Sequence, residues 1–257
     1  MELGLFIKET RKRLGLSQED LCNQEIGIRT IQRIENGDVI PHQNTLEQIF
    51  KKFGIQIPLN FRQITESEYK AFRIQIKIEE ICAERNFTSE LKSLLENYKN
   101  LIKKNDLFEQ EFYYLHQGQY ERYVLHNFVQ AKKTLEFGLK NLKKSSAKYD
   151  LKNLKFVPEN EIMTLYEYAC CENDLNEKEA EFHFLTLQEY LERGYFDEEK
   201  KKFLYPSVLL RNAEFLKNKN KFKKIADLRQ KGIKFCLEND SILCLEDISD
   251  LLPITRI

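Results

Sequence analysis

A chain of 257 residues whose 41 basic side chains are matched by 41 acidic ones has no overall field to draw in nucleic acid, so any such contact must come from a local patch. An apolar share of 42% with 12% aromatics supports a packed core and excludes general disorder. Nine glycines and five prolines are few breakers for this length, and the abundant Lys, Glu, Leu and Ile predict an all-α protein. Cys22, Cys82, Cys170, Cys171, Cys236 and Cys244 show no CxxC spacing; they are expected as reduced, buried thiols in a cytoplasmic protein. The opening "MELGLFIKETRKR" is amphipathic and reads as no signal peptide. No stretch approaches the ~20 apolar residues of a membrane helix. No GxGxxG, P-loop, HExxH or GxSxG is present, and His116, His126 and His183 lack ligand spacing. Neither an enzyme, a cofactor nor a metal site is expected.

Leu3, Phe6, Ile7, Thr10 and Leu14 recur at helical spacing and predict a first helix over residues 2–14, ended by Gly15. Ser17 can cap a second helix, with Asp20 answering three residues on in a capping box. That helix is predicted from Ser17 to Gln24, anchored by Leu21. Glu25 to Gly27 connect it to a third, Ile28 to Asn36, closed by Gly37. Pro41 blocks continuation. Asn44 with Glu47 forms a second capping box, and Leu46, Ile49, Phe50 and Phe53 line one face of a fourth helix up to Gly54. The first domain is expected over residues 1–60, with a helix-turn-helix arrangement.

"LGLSQEDL", "IRTIQRIENG" and "PHQNTLEQIFKKFGI" resemble the Xre/Cro-type helix-turn-helix family over residues 2–56. The departure lies in the turn, one residue short of the commonest spacing between Leu21 and Ile31, with Glu25-Ile26-Gly27 in place of the family glycine. A helix laid in the major groove presents its N-terminal residues to base edges. Arg29 can bond bidentately to a guanine, Gln32 to an adenine, and Thr30 can reach a phosphate or a thymine methyl. Ser17, Gln18 and Asn44 stand at helix N-termini, where backbone N–H groups favour phosphate. Arg11, Lys12 and Arg13 are expected along the phosphate backbone. Arg33 either joins them or pairs with an acid inside the domain, and Ser17 is either a contact or a cap. Residues 1–60 hold eight basic and eight acidic side chains. One head therefore binds weakly, and a homodimer on palindromic double-stranded DNA is expected.

From Thr65 onward the text reads as helix after helix, the first opening with a capping box from Thr65 to Glu68. Phe128, Ala131, Leu135 and Gly138 share their offsets with Phe222, Ile225, Arg229 and Gly232. A large residue, a small one one turn on and another small one two turns after that let helices approach closely. The pattern resembles tetratricopeptide repeats in a degenerate form with a longer period, and residues 61–257 are expected as a repeat α-solenoid for peptide binding and dimerisation. Its inner helices carry Tyr113, Gln117, Tyr166, Arg211 and Asn212 as candidate peptide contacts. Asn and Arg can bond a peptide backbone and Tyr offers apolar area with a polar tip; for the tyrosines, packing between repeats is the alternative. Asn212, in "LLRNAEFL", is the best single candidate.

The two halves together resemble the Rgg/PlcR group of peptide-pheromone receptors. That resemblance implies a cytoplasmic homodimeric transcription regulator, not an enzyme, switched by a short signalling peptide held in the repeat face. The alternatives are a phage or mobile-element type repressor whose repeats serve dimerisation or a protein partner, and a scaffold with a vestigial head.

Overall fold

The structure, a computed structural model, describes residues 3–54, 57, 66–84, 87–103, 106–139, 149, 151–152, 154, 157–241 and 245–251. Among these residues no strand occurs. The chain divides into two compact units, Met1–Tyr113 with Leu154–Glu161, and Tyr114–Asn153 with Ile162–Ile257. The expected boundary near residue 60 lies outside the described residues.

The first unit begins with α1 (Leu3–Arg13), a 3₁₀ turn (Glu19–Leu21), α2 (Ile28–Glu35) and α3 (Gln43–Phe53). Their apolar faces meet in one core containing Ile7, Leu21, Ile26, Ile31, Ile34 and Phe50. Phe6 stacks on Phe50 at 5.9 Å between ring centroids. Gly4 marks where α1 crosses the end of α2: a Cβ there would stand 2.2 Å from the Ile34 carbonyl oxygen.

Two expectations are corrected here. The second helix, predicted from Ser17 to Gln24, is only the 3₁₀ turn. Asn23 stops it, because its Oδ1 accepts from the Glu25 and Ile26 amides at 2.8 Å each. A side chain bonding the next two amides holds the backbone in a turn in competition with the helix. The Ser17–Asp20 box nevertheless forms, with the Ser17 amide donating to Asp20 Oδ2 at 2.8 Å and the Asp20 amide to Ser17 Oγ at 3.2 Å. The Asn44–Glu47 box does not: α3 begins two residues earlier, behind His42, without a side-chain cap. Asn44 and Glu47 instead accept from Gln48 and Gln43, one turn away. The remainder of this unit holds the pair α4 (Glu66–Ala83) and α5 (Ser89–Leu101). Thr65 lies outside the described residues, and Glu68 pairs with Lys103 at 2.9 Å.

The second unit takes in most of α6 (Leu107–Tyr123) and α8 (Glu159–Asp174), with α7 (Phe128–Gly138), α9 (Glu179–Glu192), α10 (Glu198–Asn218), α11 (Phe222–Glu238) and α12 (Leu245–Ser249). Small residues set the helix approaches. A Cβ on Gly138 would meet Thr164 Cγ2 of α8 at 3.2 Å, and one on Gly232 would meet Ile248 of α12 at 3.0 Å. Ala131, Leu135 and Ile225 are fully buried, as the recurring pattern requires. Phe222, its second large residue, is 52% exposed and does not pack between helices. Asn127 and Asp197 cap α7 and α10 through side-chain oxygens. Pro206 sits inside α10 without an N–H to give to the Lys202 carbonyl. The Ser241 hydroxyl, after α11, donates to that carbonyl instead, at 2.6 Å. Among the described residues no helix is long and apolar enough to cross a membrane.

Candidate DNA interface and ligand face

α2 buries Ile31, Ile34 and Glu35 and leaves Arg29, Thr30, Gln32 and Arg33 exposed. Gly27 precedes it in an extended conformation with no side-chain cap, so nothing from the preceding residue's side chain covers the helix start. This is the geometry a groove-reading helix needs: apolar residues inward at helical spacing, polar ones outward from the first turn.

The end of α2 is locked by an ion pair. Glu35 accepts from Arg11 Nε at 2.6 Å and Nη2 at 2.9 Å, and from Gln18 Nε2 at 2.8 Å. The Arg11 Nη1 donates to the Leu16 carbonyl at 2.9 Å. Arg11, expected along a phosphate backbone, thus turns its guanidinium into the domain. The internal ion pair contemplated for Arg33 is made by Arg11 instead, with Glu35 as its acid, and Arg33 is exposed. Burial pushes the Glu35 carboxyl up, but the Arg11 and Gln18 hydrogen bonds outweigh it and hold it below the usual carboxylate range. Gln18 also accepts from Gln32 Nε2 at 3.4 Å, so two predicted contacts are joined and Gln32 is steered by the Glu35 hub. Arg13 and Ser17 are exposed beside them. Asn44 is exposed at the start of α3.

In the second unit, α6, α8 and α10 share a buried polar cluster. Arg122 reaches Glu167 at 3.0 Å and Asp174 at 2.9 Å. Tyr123 donates to Glu167 at 3.1 Å and Gln119 does so at 3.0 Å. His116, pushed down to about 4 by burial, bonds Gln119 at 2.8 Å. Tyr166 hydrogen-bonds Cys170, whose thiol burial pushes up to about 12, so that cysteine is inert rather than reactive. Arg211 lies within electrostatic reach of Tyr166 and Cys170 and pairs with Glu214 at 2.7 Å. Beside it Asn212 is 1% exposed, and its Oδ1 has no hydrogen-bond partner among the described residues.

Of the five expected ligand contacts, Tyr166 and Arg211 are therefore brought together, with Asn212 next to Arg211 in sequence. Gln117 is engaged with Glu121 at 2.9 Å. Tyr113 belongs to the first unit, where the Lys99 ammonium sits over its ring at 5.3 Å. Arg122 and Tyr123 were not singled out by sequence: "QYERY" reads as surface charge, and only burial at both ends of the ion pair distinguishes it.

Residues 7–59 match the Helix-turn-helix family, and the chain carries a DNA-binding head of that kind. No curated protein matches the sequence. Among solved structures, that of Bacillus thuringiensis PlcR in complex with the peptide PapR7 and DNA is 18% identical, covers 97% of this chain and 91% of that one, and superposes with a TM-score of 0.52. The two share an all-α fold, a helix-turn-helix head followed by a helical solenoid. ComR from S. thermophilus in complex with DNA and its signalling peptide is 18% identical over 96% of this chain and 97% of that one, with a TM-score of 0.34. The Streptococcus dysgalactiae SHP pheromone receptor Rgg2 is 14% identical over 97% and 98%, with a TM-score of 0.30. Both scores are too low for a shared fold to be read from them.

Proposed function

We propose that this chain is a cytoplasmic transcription regulator that acts as a homodimer, with residues 1–60 reading a palindromic operator and residues 61–257 binding a short signalling peptide. Arg29 and Gln32 read bases, Thr30 and Arg33 flank them, and Arg13, Ser17, Gln18 and Asn44 set the phosphate register. Arg211 and Asn212, with Tyr166 beside them, take the peptide. The observation that carries this reading is the Asn212 carboxamide. An acceptor this deeply buried, with no partner among the described residues, is costly, ~1–3 kcal/mol, and a peptide backbone N–H supplies the missing donor. The PlcR structure, which holds a peptide and DNA on the same fold, supports the assignment. Peptide binding biases operator affinity by ~1–3 kcal/mol, the usual coupling between linked sites.

A thermal-shift screen of synthetic peptides encoded beside the gene tests the ligand. A peptide at saturating concentration raises the melting temperature of the full chain and fails to do so in Asn212→Leu. The absence of any such peptide favours the second reading, a repressor whose body serves dimerisation or a protein partner. One observation favours that reading: Gln117, Arg122 and Glu167 already satisfy one another or near neighbours within the body.

A further inference from the structure

α11 turns Ile225, Leu228, Gly232 and Cys236 inward. A second apolar line runs along its outward side. Phe222 is 52% and Leu237 65% exposed; Ala226 is exposed and Ile233 half-buried between them. Steps of four, seven and four residues put all four on one stripe of a helix. The middle of the stripe is Arg229, which is drawn aside to the Ser249 carbonyl at 2.9 Å.

The stripe lies in the most basic part of the chain. Between Lys217 and Lys234 eight cationic side chains stand against one carboxylate, Asp227. Neighbouring helices neutralise only some of them. Lys221 and Lys224 share the single Glu181 carboxylate at 2.6 Å each. Lys219 reaches the neutral Asn176 side chain at 2.7 Å and lies over the Phe215 ring, 5.3 Å from its centroid, without a carboxylate partner among the described residues. Lys223, flanking the stripe, is exposed and has no ion pair among the described residues. Lys234, eleven residues on along the same flank, is exposed with Glu238 3.8 Å away.

We propose that the outward face of α11 docks a helix of a protein partner whose apolar stripe is bordered by Asp and Glu. Two features together select that occupant. The lysines demand anionic groups, and Phe222 and Leu237 demand apolar cover. A DNA duplex answers the first demand only. A helix with acidic flanks answers both, with the lysine stems adding apolar contact under their charged heads. The match of charge also gives fast, salt-dependent association.

The test is a fluorescence-anisotropy titration of the full chain with a fluorescein-labelled synthetic helix carrying leucines on one face flanked by glutamates. The control helix has every glutamate replaced by lysine. The acidic helix binds and the control binds at least about tenfold more weakly. Phe222→Ser with Leu237→Ser, and separately Lys223→Glu with Lys234→Glu, each weaken the acidic helix about tenfold. Both pairs are on the surface, so circular dichroism and DNA binding stay as in the unsubstituted chain. No binding of the acidic helix, equal binding of the two helices, or indifference to either pair of substitutions overturns the proposal. Displacement of the acidic helix by a duplex lacking any operator also overturns it and makes the face a nucleic-acid surface.

Discussion

Arg11 and Glu35 are separated by twenty-four positions in the chain, and their side chains are only 12% and 1% exposed. Breaking such a pair from one side leaves a buried charge alone, at a cost of ~3–5 kcal/mol. Arg11→Ala should therefore unfold the head locally rather than merely weaken a phosphate contact. Loss of amide-exchange protection in α2 measures this. The pair also gives a direction in pH. Because the Glu35 carboxyl is held below its ordinary value, its contribution is present above the unfolded-state value of about 4.3. It is lost as pH falls through the lower folded value. Protection in α2 should fall in that acid range, and Glu35→Gln should flatten the dependence. Arg29 and Gln32 behave oppositely. Each is exposed, so Arg29→Ala or Gln32→Ala leaves protection intact and costs ~1–3 kcal/mol in specific DNA binding. The outward polar residues of α2 were legible because helical spacing separates them from Ile31 and Ile34. The choice of Arg11 over Arg33 as internal partner was not, since it depends on where α1 crosses α2. Asn212 stood out in sequence as a carboxamide in an apolar run; that its oxygen finds no partner among the described residues is a property of the fold alone. Asn212→Leu keeps the volume and removes the orphan, so it should raise body stability by ~1 kcal/mol, measured by urea denaturation.

Element boundaries followed the stop signals visible in the chain. α2 ends at Asn36–Gly37, with Gly37 at φ +79°, a conformation that favours glycine. α3 likewise ends on Gly54. The second helix failed because Ser17 and Asp20 announce a start while Asn23, three residues later, imposes a turn. Both signals are in the sequence, and the competition between them was settled by Ile26, which has to reach the core. Pro206 in "DEEKKKFLYPSVLLRNAEFLKNK" is a residue that ordinarily breaks a helix, yet α10 runs through it. What makes this tolerable is remote in sequence, the Ser241 hydroxyl on the Lys202 carbonyl. Ser241→Ala should cost ~1–2 kcal/mol, more than an ordinary surface serine, because it leaves that carbonyl without its donor. Thermal melts of the two proteins under identical conditions read this difference.

At the scale of the molecule, a net charge of zero conceals local asymmetry. The head is neutral, and the lysines gather instead around α11. A neutral head gives a shallow salt slope for one copy, and the proposed pairing of two copies on a palindrome would restore the affinity that phosphate contacts would otherwise supply. The all-α class and the repeat character were legible from composition and recurring small residues, because those govern how helices approach. The polar cluster among α6, α8 and α10 was not, because it joins side chains some fifty positions apart, as in Arg122 and Asp174.

The most direct measurement is a fluorescence-anisotropy titration of the full chain against its own upstream DNA, at two salt concentrations, with and without the peptides encoded beside the gene, repeated with Asn212→Leu. The predicted result is salt-dependent binding that one peptide shifts by about 5–150-fold, and that the same peptide leaves unchanged in the variant. Binding that no peptide shifts, or a shift that survives in Asn212→Leu, would contradict the peptide switch proposed for the body. No binding at either salt would contradict the operator-reading role of the head.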